Sequence, residues 1–173
     1  MTGKKLWGFG LTEPNAGSDA SGTETTAELM HGKWRINGSK IFITNGASKI
    51  TAGVTVQAVT GKLSNGKNEL SCIIVEQGTR GFSSREMHHK LVWRSSNTGE
   101  LFFDNVEVPE THLLGKQGDG FRQMLATLDG GRLGIAAMGL GGAQGAFELG
   151  LKYAQERKQF GKSIASFQVN AFK

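Results

Sequence analysis

The sequence predicts an α+β chain: a compact antiparallel β-barrel followed by the first helices of an incomplete helical bundle. Three observations lead there. Short apolar runs separated by turn residues fill residues 24–108, with little 3.6-residue periodicity. The composition changes after Gly118 to one rich in Gly, Ala, Leu and Met. Beyond that point apolar residues recur every three or four positions. The domain boundary is accordingly placed between residues 1–118 and 119–173.

In the first segment Trp34-Arg35-Ile36 runs into Asn37-Gly38, and Lys40-Ile41-Phe42-Ile43-Thr44 follows. Asn-Gly is a favoured two-residue hairpin turn, so this stretch predicts a hairpin. Asn65-Gly66 predicts a second connection, flanked by strands over residues 54–59 and 70–75. Leu101-Phe102-Phe103 closes the series, and strands at this spacing suit a barrel. Residues 113–118, Leu-Leu-Gly-Lys-Gln-Gly, read as a connector.

In the second segment Leu140, Ala143, Phe147, Leu151 and Ala154 share one helical face. Eight glycines fall within residues 130–150. At about 1 kcal/mol each relative to Ala, they leave the intrinsic helical preference poor, so packing must hold the helix together. Small residues in that number let neighbouring helices approach closely, as in a bundle. The final run, Gln168-Val169-Asn170-Ala171-Phe172-Lys173, reads as a helix interior without a cap. The expectation is a truncated bundle.

Bulk properties exclude several function classes. The chain has 173 residues, 38% hydrophobic and 20% charged, with 26 glycines and a formal net charge of +5. Its basic residues are dispersed, without the aromatic interleaving of a nucleic-acid face, so no nucleic acid is expected. One cysteine, Cys72, permits neither an internal disulfide nor a Cys-rich metal centre. His31, His88, His89 and His112 show no metal-ligand spacing, and no metal is assigned. Residues 1–10 lack the apolar core of a secretory signal, and no apolar run approaches the ~20 residues of a membrane span. Gly139-Leu140-Gly141-Gly142 has the wrong spacing for a dinucleotide fingerprint, and Gly161-Lys162-Ser163 is preceded by Glu156 where a phosphate loop needs glycine.

Two stretches could carry chemistry. Gly10-Leu11-Thr12-Glu13-Pro14-Asn15-Ala16-Gly17-Ser18-Asp19 runs from a short strand into a turn of small residues and hydroxyls. Such a turn lets a ligand meet backbone, with Thr12 and Ser18 as hydrogen-bonding groups. In Ile41-Phe42-Ile43-Thr44 strict alternation puts Phe42 and Thr44 on one face, opposite Ile41 and Ile43. An aromatic ring beside a hydroxyl suits a flat heteroaromatic ligand. Considered alone, the first stretch reads first as an ordinary surface loop and the second as an ordinary half-buried strand.

Together, and followed by Arg157-Lys158-Gln159-Phe160-Gly161-Lys162, they resemble the acyl-CoA dehydrogenase family. The first stretch fits that family's signature of a small residue, an aliphatic, Ser/Thr, Glu, two variable positions, a small residue, Gly, Ser/Thr and Asp. Asn37-Gly38-Ser39-Lys40, Lys90, Arg94-Ser95-Ser96-Asn97-Thr98, Leu114-Gly115, Gly120-Phe121 and Leu128-Asp129-Gly130-Gly131-Arg132 extend the likeness along essentially the whole chain. One departure is Val92, where the family usually has glycine.

The resemblance implies FAD as cofactor and acyl-CoA as substrate. It implies flavin contacts for Phe9, Leu11, Thr12, Gly17, Ser18, Phe42, Ile43 and Thr44, and for Arg157, Phe160 and Gln168 across a subunit interface of a homo-oligomer. Ser18 and the run Asp129, Gly130, Gly131 and Arg132 are implied to border the substrate. The chemistry implied is α-proton removal by a glutamate with β-hydride transfer to flavin, yielding trans-2-enoyl-CoA. Gly131 stands where a few branches of the family carry that glutamate, so the base is expected beyond Lys173, no catalytic residue is assigned within the chain, and the piece alone is expected to be inactive. Glu13 reads as part of the turn. Electron-transferring flavoprotein is the implied acceptor, and the bacterial cytoplasm or the mitochondrial matrix the implied compartment. An acyl-CoA oxidase, or a non-catalytic barrel module for binding or assembly, remains open at this point.

Overall fold

The computed structural model describes residues 3–173, which fall into two compact units, residues 3–126 and 127–173. The first unit is built on seven strands: β1 (Leu6–Gly10), β2 (Thr26–Met30), β3 (Lys33–Thr44), β4 (Thr51–Lys62), β5 (Asn68–Glu76), β6 (Phe82–Glu86) and β7 (Thr98–Pro109). They pair in the order β1-β4-β2-β3-β7-β6, with β5 also on β4. The expected α+β class holds. The sheet, however, is mixed: β1 and β2 both run parallel to β4. Those pairings bring together segments some thirty or more positions apart, which turn signals, being local, do not report. The sheet forms a half-barrel.

Alternation builds the core. Trp34 and Ile36 of β3, Val54, Val56 and Ala58 of β4, Ile73 and Val75 of β5, and Leu101, Phe103, Val106 and Val108 of β7 point inward and are buried. Between Phe103 and Val106 the phase slips, because β7 carries an extra residue opposite Ile36 and Gly38. Asn105 adopts φ +47 there, a left-handed backbone that Asn tolerates better than most residues.

That bulge corrects the expected hairpin at Asn37-Gly38. β3 runs unbroken through both residues, and the actual β2–β3 turn lies at His31-Gly32, left-handed at φ +51 and +75. The Asn37 side-chain oxygen accepts the Asn105 backbone N–H at 2.8 Å instead of bonding within its own turn. Gly38 is required by proximity: at φ +141, a Cβ would lie 2.6 Å from Thr25 Oγ1 and 2.8 Å from Thr25 Cα. Asn65-Gly66 does lie in the turn between β4 and β5, with the Gly66 N–H bonded to Leu63 O at 2.9 Å.

The connector beyond β7 covers the outer edge of β5. The Leu114 N–H donates to Cys72 O at 2.8 Å, and His112 Nδ1 lies 3.0 Å from Ile74 O, so the strand edge is not left open. Helix α1 (Gly120–Glu156) then begins, and its first two turns belong to the first unit. A Cβ on Gly120 would sit 2.6 Å from the Ser71 backbone, and Met124 is buried with Leu11 and Cys72.

The second unit holds the rest of α1, a hairpin of β8 (Lys158–Gln159) and β9 (Lys162–Ser163), a 3₁₀ turn (Ile164–Ser166) and α2 (Gln168–Ala171). The helical face read from the sequence lies on α1, where Leu140, Phe147 and Leu151 are exposed. No helix among the described residues is long and apolar enough to cross a membrane.

Gly38→Ala tests the close approach at the bulge. Overpacking against Thr25 should cost about 1–3 kcal/mol, read as a lower urea midpoint with unchanged m-value; were Gly38 in an exposed turn, the loss would be confined to backbone strain.

Candidate functional site

β1 delivers the chain into a tight turn at Glu13-Pro14-Asn15-Ala16, closed by Glu13 N–H to Ala16 O at 2.9 Å and Ala16 N–H to Glu13 O at 3.2 Å. Gly17 and Ser18 follow and are exposed. Asp19 ends the loop, its Oδ1 accepting the Ser21 N–H at 3.2 Å and hydroxyl at 2.6 Å. Gln57 Nε2 holds the following 3₁₀ turn (Ala20–Gly22) through Ala20 O at 2.8 Å. Upstream, Leu11 is buried with Cys72 and Met124, and Phe9 packs against that cluster. Burial pushes the Cys72 thiol up to about 11, with the Lys40 charge opposing, which leaves it an inert core residue at neutral pH.

This loop is tied to β3 by a buried ion pair. Lys40 Nζ lies 2.7 Å from Glu13 Oε1 and donates to Leu11 O at 3.1 Å. Glu13 also accepts the backbone N–H of Thr25 at 3.0 Å and of Glu24 at 2.7 Å. Beside this pair, Ile41 N–H donates to Thr12 O at 2.9 Å. Burial works to raise the Glu13 carboxyl, but the Lys40 charge and the hydrogen bonds from Lys40, Thr25 and Glu24 outweigh it and hold it below its ordinary value. Burial pulls the Lys40 ammonium down, the Glu13 charge opposing. The two shifts pull opposite ways on the pair's charge, and the Glu13 direction decides it: three N–H donors converge on that carboxylate, a set only the ionised form satisfies. Glu13 is thus more than the turn residue its sequence suggests, and Lys40, which the sequence marks only as part of the Asn37–Lys40 motif, is its buried partner.

Immediately after Lys40, β3 carries its own bulge: the register steps from Lys40 opposite Leu101 to Ile43 opposite Gly99. Phe42 adopts φ +61 and is 60% exposed. A left-handed backbone is uncommon for a bulky residue and marks a place where the surroundings impose the conformation. The bulge puts Lys40 and Ile43, three positions apart, both in the interior, while Phe42 and Thr44 are exposed. Phe42 and Thr44 are thus both exposed, while Ile43, expected on the opposite face, is a core residue and Ile41 is half-buried.

Asn97 secures the exit from this strand. Its O accepts the Asn45 N–H at 2.9 Å and its Oδ1 the Ala47 N–H at 3.2 Å. Lys90 Nζ braces the same segment through Thr98 Oγ1 at 2.9 Å and the Ser96 carbonyl. Val92 fits its loop without strain, because the left-handed positions there are His89 and Trp93. A cavity of about 770 Å³ opens between Asp19, Ser21, Lys67, Gly118, Phe121 and Arg122. Its wall carries Lys67 and Arg122 together with the Asp19 carboxylate, and Arg122 is also paired with Asp119 at 3.2 Å.

The remaining residues that the family resemblance implies lie in the second unit. Asp129 and Arg132 form an exposed pair at 3.4 Å on α1, flanking Gly130 and Gly131. Arg157 leaves α1 with its N–H on Tyr153 O at 2.8 Å and its carbonyl taken by Ile164 N–H at 2.9 Å. Phe160, at φ +52, occupies the β8–β9 turn fully exposed and meets Phe167 edge-on at 6.2 Å. Gln168 opens α2 directly after Phe167. Arg157, Phe160 and Gln168 are thereby gathered into one small folded element.

Residues 8–106 match the family model described as acyl-CoA dehydrogenase, middle domain, and residues 118–173 the model described as acyl-CoA dehydrogenase, C-terminal domain. A probable acyl-CoA dehydrogenase of Bacillus subtilis is 49% identical over 172 residues, which is 99% of this chain and 45% of that protein. The solved structure of butyryl-CoA dehydrogenase from Megasphaera elsdenii superposes with a TM-score of 0.88 at 44% identity, covering 97% of this chain and 43% of that one. A glutaryl-CoA dehydrogenase from Mycobacterium smegmatis, in complex with FADH2, gives 0.86 at 34% identity, covering 97% and 41%. The chain thus spans a little under half the length of these relatives.

Because Glu13 has a folded value below its ordinary 4.5, it stabilises the fold above that pH and loses the contribution as pH falls through the folded value. The urea midpoint should drop on acidification, and drop less steeply in Glu13→Gln. Lys40→Met strands a buried carboxylate and should cost about 3–5 kcal/mol at neutral pH, measured by the same denaturation.

Proposed function

Since this chain belongs to the acyl-CoA dehydrogenase family, we propose that it forms the flavin-facing part of an FAD-dependent oxidoreductase that converts acyl-CoA to trans-2-enoyl-CoA. The carrying observation is the Ile41 N–H to Thr12 O bond, which joins the hydroxyl-bearing loop to the strand that exposes Phe42 and Thr44. An exposed ring with hydroxyls beside it fits an isoalloxazine: apolar contact from Phe42, hydrogen bonds to ring heteroatoms from Thr12 and Thr44. Phe9 and Leu11 supply the packed backing, Gly17 the close backbone approach, and Ile43 its main chain alone. When bound, FAD supplies the acceptor for the substrate's β-hydride.

The chain's own groups prepare the other half of the reaction. Ser18 stands in the exposed loop as a hydrogen-bonding group for the thioester, whose α-proton leaves only if the carbonyl is polarised. Glu13 is committed to Lys40, Thr25 and Glu24 and is no candidate for the base. A glutamate outside residues 1–173 takes that proton. Asp129–Arg132 border the substrate on α1. Arg157, Phe160 and Gln168 hold FAD across the interface of a homo-oligomer, and electron-transferring flavoprotein takes the electrons onward.

Protein incubated with FAD and passed through gel filtration should carry flavin absorbance in an oligomeric peak; a colourless peak from folded protein counts against the reading. Thr44→Val should reduce flavin content in this chain, and in the full-length parent, which carries the base, it should slow flavin reduction by acyl-CoA, with the urea midpoint little changed because Thr44 is exposed.

A further inference from the structure

Three consecutive loop residues, Leu11, Thr12 and Glu13, are each bonded to residue 40 or 41 of β3: Leu11 O and Glu13 Oε1 to Lys40 Nζ, Thr12 O to Ile41 N–H. The same Glu13 carboxylate takes the N–H groups of Glu24 and Thr25. It therefore clamps both ends of the loop that presents Gly17 and Ser18. Lys40 sits immediately before the bulge that throws Phe42 outward in a left-handed backbone. Both side chains are almost fully buried, at 0% and 3% exposure. A buried pair of this kind gains little net stability over apolar residues of similar volume. What it does add is direction, since the ammonium and carboxylate accept partners at few positions.

We propose that Glu13 and Lys40 are positioning residues, which hold the Leu11–Thr12 backbone and the Gly17-Ser18 loop against the Phe42 bulge so that the ligand face is formed before the ligand arrives. This rests on the flavin reading for the ligand's identity, but not for the mechanical role. A site held ready spares the ligand the cost of ordering the loop, and small misplacements of such a site cost about tenfold or more.

The test replaces both partners, Glu13→Gln with Lys40→Met, so that no buried charge is left unpaired. The urea midpoint should recover most of what Lys40→Met alone loses. Despite that recovery, the Ile41 amide should exchange hydrogen much faster than in the wild type, while the Ile73 amide in the core keeps its protection. In the FAD-loaded protein the dissociation constant for FAD should rise by about tenfold or more, and the flavin absorption band should change shape. A stable double variant with unchanged Ile41 exchange and unchanged FAD affinity overturns the proposal. If the double variant does not fold, Lys40→Arg keeps the charge but alters the reach; it should shift Ile41 exchange and FAD affinity in the same sense, and wild-type values for both overturn it. If the wild-type protein itself takes up no FAD, the functional reading fails, and Ile41 exchange alone then decides the positioning role.

Discussion

The buried contact between Glu13 and Lys40 is the constraint around which the first unit is arranged. A charged pair taken out of water is tolerated only where each polar atom finds a partner. The partners recruited are backbone groups: Leu11 O, Glu24 N–H and Thr25 N–H. The pair therefore organises chain. It draws the turn at Glu13–Ala16, the loop beyond it and the start of β2 onto the middle of β3.

Two bulges on the β3–β7 pair complete the arrangement. The one on β7 at Asn105 leaves Gly38 opposite the shifted register and lets Thr25 press against it. The one on β3 brings Lys40 and Ile43 both inward, at the expense of a left-handed Phe42. Without an extra residue, a strand with Lys40 facing the core would have to turn Phe42 inward as well, since side chains alternate with period two. Burying the ammonium and exposing the aromatic ring are thus one event. Strain at an exposed residue, offset by a buried network behind it, is how rigid sites are commonly built.

Next to the ion pair, Gly120 lies against the Ser71 backbone, Cys72 Sγ points to Gly120 O at 3.6 Å, and Met124 closes over Leu11. The start of α1 and the loop from β1 share one apolar cluster. A change in how the helix seats would be felt at Leu11, one residue from the Thr12 carbonyl that bonds β3.

The sequence by itself determined the fold class, most of the strands though not β2 or β6, the helical second segment, the family, and the two stretches from which the exposed face is made. These are carried by local signals: turn dipeptides, period-two and period-3.6 spacing, and a long signature whose residue types follow the chemistry. Only the tertiary structure decided that Asn37-Gly38 is a bulge partner and not a turn, because the residues that make it so, Thr25 and Asn105, are remote in sequence. It also decided that β1 and β2 run parallel to β4, that Ile43 belongs to the core, and that Glu13 is paired with Lys40. Each of these depends on groups brought together across tens of residues, and a lysine reads as a surface residue until the carboxylate that neutralises it is folded against it.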